Sequence, residues 1–251
     1  MSYAKRYASV LWSGPDQLLQ LSPNTRRHVM EALTAYAKYA GCYEQWQQIR
    51  KRYSLRWTNG NESIAAMQRF FDDTRSLDSM LQRVREMVQV LPVPMAAIIR
   101  FACITGLRPN EACESVRLLI SGNYHASYYN SQQQCLEHWR YPEIFLRPTK
   151  NAYISYLSTD CYQWITKIQG KPPTLAAISS VCKRRKIPCN FNLCRKIFAS
   201  WLYKSGIPDM TIDMLQGRVS QSVLAQHYIR PDSTLRQRVL DAVSQLEKEI
   251  K

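Results

Sequence analysis

The sequence predicts a mainly α-helical protein of two domains, residues 1–75 and 76–251. Three observations predict it. Apolar residues recur at helical spacing through most of the 251 residues. Prolines and glycines cut that pattern into helix-sized segments. A polar stretch, Asp72-Asp-Thr-Arg-Ser76, separates a first helical module from the rest. With 45% apolar residues, the chain can bury a core in each part. Its longest nearly uncharged run, from Val90 to Ile99, is interrupted by Pro92 and Pro94 and stopped by Arg100. That is well short of the ~20 residues a membrane span needs. The first residues lead into no apolar signal core, so a cytoplasmic, nucleoid-associated protein is expected.

Taken in order, Leu21-Ser-Pro-Asn-Thr25 opens a helix, with Ser22 as N-cap and Pro23 in the first turn. Val29, Leu33, Tyr36, Ala37 and Ala40 continue it and Gly41 ends it. Helices also fit residues 43 to 53 and 62 to 71, the second after the turn Thr58-Asn-Gly-Asn61. From Leu77 to Val90 the apolar positions are Leu77, Met80, Leu81, Val84 and Val88. A buried helix from Met95 to Thr105 follows, Gly106 interrupts it, and Pro109 opens the next, from Asn110 to Leu119. Between Gly122 and Leu157 the texture turns rich in Tyr, Ser and Gln. Two short β segments, at 144–146 and 153–157, are predicted around the turn Pro148-Thr-Lys150-Asn151. From Asp160 the chain reads as helical to its end. Lys171-Pro-Pro173, Pro188, Gly206-Ile-Pro208 and Pro231 are the breaks. In the last segment Leu235, Val239, Ala242, Leu246 and Ile250 form an amphipathic stripe, which can fold onto its own domain or dock on a neighbouring protomer.

The 34 Lys and Arg against 19 Asp and Glu give a net charge of +15. The basic residues cluster at Arg26 and Arg27, at Arg50, Lys51, Arg52 and Arg56, and at Lys183, Arg184, Arg185 and Lys186. Between Val181 and Ser200 six basic residues stand with no acidic one. Such a protein attracts a polyanion, DNA or RNA, although charge alone does not separate this from a merely basic soluble protein. The eight cysteines include no C-x-x-C pair, which argues against a zinc knuckle, and buried reduced thiols are expected.

The residues with chemical potential fall in four places. Arg108 stands on the turn Thr105-Gly-Leu-Arg108-Pro-Asn-Glu111, where a guanidinium offers a planar fork to phosphate and Glu111 can pin it from behind. Lys150 lies on the predicted β turn, with Arg147 close by. Asn192 and Arg195 share one helix face, and Asn192 can either cap that helix or donate to phosphate. Arg218 follows Gln216-Gly217, and ten residues later comes Tyr228, beside His227.

Arg108, Lys150, Asn192-x-x-Arg195, Arg218 and Tyr228, in that order, resemble the tyrosine recombinase (phage integrase) family from about Leu77 to the end. The form Phe-x-Ala-Ser, Gln-Gly-Arg and Gln-His-Tyr is most like the archaeal fusellovirus-type integrases. Asn192 and Arg218 stand where most of the family has histidine. The resemblance implies a two-domain, C-shaped DNA clamp: a small helical core-binding domain and a helical catalytic domain with a small β-sheet. It also implies strand cleavage and rejoining through a covalent 3′-phosphotyrosine at Tyr228. Lys150 would protonate the leaving 5′ oxygen, and self-association on double-stranded DNA would follow, with no cofactor and no metal. Three guanidiniums, Arg108, Arg195 and Arg218, suit the charge of a pentacoordinate phosphorane. The alternatives from the sequence are a catalytically silent DNA-binding relative, a resolvase-type enzyme acting on replicon dimers, and an RNA-binding module.

Overall fold

The computed structural model describes residues 3–57, 64, 67, 76–121, 128–147, 150–170, 172–187, 191–218 and 233–251. Contacts divide the chain into two compact units, Met1–Asp72 and Asp73–Lys251.

In the first unit three short helices, α1 (Tyr3–Tyr7), α2 (Val10–Ser13) and α3 (Asp16–Leu19), precede α4 (Pro23–Tyr39) and α5 (Tyr43–Arg52). The start of α4 follows from its capping residues: Ser22 Oγ accepts the Thr25 N–H at 3.4 Å, and Pro23 occupies the first turn. Leu11, Val29, Met30, Leu33, Ala37 and Trp46 are fully buried. Trp46 cannot bury its indole N–H unpaired, and it donates to Thr34 Oγ1 at 2.8 Å. The helix predicted at 62–71 lies, except for Ile64 and Met67, outside the described residues.

The second unit is built around α6 (Leu77–Val90), α7 (Val93–Thr105) and α8 (Pro109–Ile120). From Ala96 to Thr105 every residue of α7 except Arg100 is buried, as an all-round apolar sequence requires. Arg100 stays in this setting because its guanidinium lies 4.3 Å from the Trp164 ring centre and 4.0 Å from Glu247.

The β region departs from the predicted pairing. Strands β1 (Tyr129–Asn130) and β2 (Cys135–Glu137) are followed by a 3-10 turn (His138–Arg140), α9 (Pro142–Phe145), β3 (Leu146–Arg147), β4 (Lys150–Asn151) and β5 (Ile154–Tyr156). The two predicted β segments do not pair with each other. Instead β5 joins β2, with Leu136 opposite Ser155, in the antiparallel sheet β1-β2-β5. A separate ribbon pairs Leu146 with Asn151 and Arg147 with Lys150. Pro142 starts a helical turn that takes up Ile144 and Phe145, so only two residues remain for β3. Beneath the sheet runs a buried polar chain. Ser115 Oγ meets Tyr128 Oη at 2.7 Å, Tyr128 Oη meets His138 Nδ1 at 2.8 Å, and His138 Nε2 meets Ser155 Oγ at 2.8 Å.

Helices α10 (Thr159–Thr166), α11 (Leu175–Arg184), α12 (Phe191–Lys204), α13 (Asp209–Leu215) and α14 (Ser233–Glu249) complete the unit. The terminal stripe packs on its own domain. Val239, Leu240, Ala242, Val243, Leu246 and Ile250 are buried, and Ala242 O accepts from Trp201 Nε1 of α12 at 2.9 Å. All described cysteines are free thiols, six of them buried. Among the described residues no helix is long and apolar enough to cross a membrane, and no His, Cys, Asp and Glu cluster could hold a metal ion.

Candidate functional site

Two glycines bring the site together. Gly106 ends α7 in the left-handed conformation (φ +65°), and a Cβ there would stand 2.4 Å from the Phe198 ring of α12. Gly217 (φ +75°) follows α13, and a Cβ on it would fall 1.5 Å from the Asn151 carbonyl oxygen of β4. Only glycine lets the α7–α8 turn meet α12, and only glycine lets the segment after α13 meet the ribbon.

Arg108 occupies the N-cap of α8. Its backbone N–H donates to Glu111 Oε2 at 2.9 Å and its Nη1 to Glu111 Oε1 at 3.0 Å, so the predicted pinning is present. Nη1 also donates to the Asn151 carbonyl at 3.1 Å. Glu111 is only 1% exposed and carries a second guanidinium, because Arg147 Nη2 reaches the same Oε1 at 2.9 Å. Burial of a lone carboxylate is costly, and the two arginines with the α8 N-terminus offset that cost.

Arg195 projects from α12 between these elements. Nη1 donates to Gly106 O at 2.5 Å and Nη2 to Gln216 O at 3.2 Å, while Gln216 Nε2 returns a bond to Arg195 O at 2.8 Å. Burial first, and then the neighbouring Arg108, pull the Arg195 guanidinium down to about 10, with Glu111 opposing and Arg218 adding to the drop. Arg218 pairs with Asp213 at 3.1 Å on the open side. Arg108, Arg147, Arg195 and Arg218 therefore meet two carboxylates, one buried and one exposed. The surplus is positive and suits an anion of phosphate geometry.

Lys150 is exposed at the start of β4. Asn192 is also exposed, and it is the second residue of α12, so it is not the N-cap that one sequence reading made it. The helix simply begins at Phe191, two residues earlier than that reading requires. Tyr228 and His227 lie outside the described residues.

The basic clusters behave unequally. Lys51, Arg52, Arg56, Lys183, Arg184, Arg185 and Lys186 are exposed, whereas Arg26 and Arg50 are half-buried. Arg50 sits 4.5 Å from the Trp57 ring centre, and Arg27 is paired with Glu31 at 3.1 Å. Sequence reasoning left out Asn151, Gln216 and the packing roles of Gly106 and Gly217, and it treated Arg147 only as a neighbour of Lys150. For Gly217 the signal was present, since glycine between Gln216 and Arg218 interrupts an otherwise helical pattern.

The described residues of the second unit thus form a helical domain whose converging arginines surround a single buried carboxylate. Residues 74–234 match the archaeal phage integrase family, and the chain belongs to that family. Neither the curated proteins nor the solved structures provide a match. The family is one of site-specific recombination, and DNA is the partner it implies.

Proposed function

We propose that this protein is a tyrosine-type site-specific recombinase that cuts and rejoins double-stranded DNA through a 3′-phosphotyrosine at Tyr228. The observation that carries the proposal is that Arg195 bonds Gly106 O and Gln216 O, each two residues before Arg108 and Arg218, and feels the charge of both. Mutual repulsion makes such a cluster costly in the free protein. A phosphodiester relieves it, and a phosphorane with added negative charge relieves it further, which is the condition for catalysis.

Arg108, held by Glu111, presents its fork to the non-bridging oxygens, and Arg195 and Arg218 share that charge. The Tyr228 oxygen forms the new bond to phosphorus as the bond to the 5′ oxygen breaks. Lys150 supplies the proton to that oxygen. Asn192, on the first turn of α12, donates to phosphate. His227 orients the nucleophile. The exposed basic residues of both units contact the DNA backbone, and protomers self-associate on the target.

The test is a nicked duplex whose short cleaved strand diffuses away and traps the covalent complex. The wild-type chain is expected to form a detergent-resistant protein–DNA adduct, and Tyr228→Phe to bind the duplex but form none. Absence of an adduct with the wild type would make the chain a silent DNA-binding relative, and an adduct with the Phe variant would move the nucleophile elsewhere.

A further inference from the structure

We infer that Arg147 is a positioning residue for Lys150. The inference rests on the reading of Lys150 as the proton donor to the leaving oxygen. Arg147 and Lys150 stand directly opposite each other in the β3–β4 ribbon. Among the described residues Lys150 makes no ion pair, so its location depends on where the ribbon is held.

The ribbon is held at few points. The Arg147 side chain reaches out of it to Glu111 Oε1 at 2.9 Å. The Arg147 N–H donates to Asn151 Oδ1 at 2.9 Å, which closes the ribbon on itself. Arg108 donates to the Asn151 carbonyl at 3.1 Å, and Ala152 N–H donates to Phe145 O at 2.9 Å. Of these ties, the Arg147–Glu111 bond joins two opposite charges, and its carboxylate is buried. Charge-assisted bonds of this kind are the stronger ones.

Glu111 gives the arrangement a second property. The same oxygen accepts from Arg108 and from Arg147, so the phosphate-binding fork and the ribbon share one anchor. The distance between the non-bridging oxygens and the proton donor is then set by this carboxylate together with the direct Arg108–Asn151 bond. Removal of Arg147 leaves the Arg108–Glu111 pair in place and frees the strand opposite Lys150, with the ribbon still tied at Asn151 and Ala152. The defect expected is therefore one of proton delivery and not of charge stabilisation.

Chemistry separates these two defects. A 5′ oxygen leaves poorly unless it is protonated, whereas a sulfur in the same bridging position leaves as a thiolate and needs no proton. Two nicked duplexes, identical except for a bridging 5′ oxygen or 5′ sulfur at the cleaved phosphate, are compared in single-turnover adduct formation. On the oxygen substrate Arg147→Ala should fall at least ~10-fold, a share of the ~10²–10⁴-fold that a positioned acid contributes. On the sulfur substrate it should recover to within about threefold of the wild type, as Lys150→Ala should, because the acid is no longer needed. Arg147→Lys, which keeps a charge near Glu111 but not the fork, should lie between the two on the oxygen substrate.

Equal loss on both substrates would overturn the inference and make Arg147 a phosphate or DNA ligand. Unchanged cleavage of the oxygen substrate by Arg147→Ala would overturn it as well. A wild-type chain without an adduct on either substrate would instead refute the recombinase reading itself. The DNA affinity and melting of each variant, measured alongside, should match the wild type, and a variant that melts early is replaced by Arg147→Lys for the same comparison.

Discussion

Arg108 and Arg195 serve the proposed chemistry by different means. Arg108 is fixed by a carboxylate, and Arg195 by two backbone carbonyls, Gly106 O and Gln216 O. Carbonyls carry no formal charge, so Arg195 keeps its full positive charge for the anion. Arg108→Ala and Arg195→Ala are each expected to lower single-turnover cleavage by at least ~10²-fold, the scale of one lost charge-stabilising donor. Lysine at either position should restore little, because an ammonium cannot bond two acceptors in a plane. Near-normal cleavage by an alanine variant would remove that arginine from the site. The pairing of Arg108 with Glu111 was legible from their spacing of three across a proline-opened helix start. The other partners were not: Arg195 bonds to backbone atoms whose positions depend on tertiary packing, and no residue type announces a carbonyl. Asn192 was misread in one alternative because Asn is a favoured cap and a shift of two residues in the helix start decides whether it caps the helix or lies within it.

Among the elements, the long helices were legible because apolar residues recur in them at helical spacing and several open on a capping side chain. Ser76, Ser158 and Thr174 accept N–H groups at 3.2, 3.1 and 3.2 Å. The strands were legible only in part: β5 falls within the segment predicted at 153–157, but the strands are two or three residues long and pair across distant sequence, β2 with β5. For α14 the amphipathic pattern gave the helix but left its docking partner open. Its position on α12 and α7 gives an expectation: a chain ending at residue 232 should lose the cooperative melting transition of the second unit, read by circular dichroism. A truncated chain that melts like the full one would show that α14 adds little to the core. The buried polar chain beneath the sheet sets a pH dependence. Burial lowers the His138 pKa from 6.5 to about 3. The unfolded chain therefore takes up a proton below pH 6.5 that the folded protein refuses until about pH 3. Stability from this group is complete above pH 6.5 and declines on acidification toward pH 3, by up to about 1.4 kcal/mol per pH unit. Urea unfolding at a series of pH values checks this. His138→Gln should flatten the slope by about one proton's worth, and an unchanged slope would assign the acid sensitivity to other groups.

For the whole molecule, the net charge of +15 and the exposed lysines and arginines at the ends of α5 and α11 predict binding dominated by phosphate contacts. Affinity for duplex DNA should drop by roughly 10³-fold or more between about 50 and about 200 mM salt if six or more phosphates are engaged. Fluorescence anisotropy over that range measures the slope, and a nearly flat dependence would rule out the basic residues as the interface. The helical class was readable because apolar residues recur at helical spacing, and the family because a handful of polar residues in fixed order carries it.

The contact between Gly217 and Asn151 also bears on how this protein could be re-engineered. The two backbones meet so closely that neither segment can be exchanged alone. A chimera that imports the β3–β4 ribbon from a relative inherits the ribbon's carbonyl path. Unless the segment after α13 also brings glycine at the matching position, the graft will wedge the arginine-bearing loop away from its seat. The two segments form one mechanical module split across 65 residues of sequence, from 152 to 216. Libraries that recombine them independently should be depleted of active members, and libraries that move them as a pair should not.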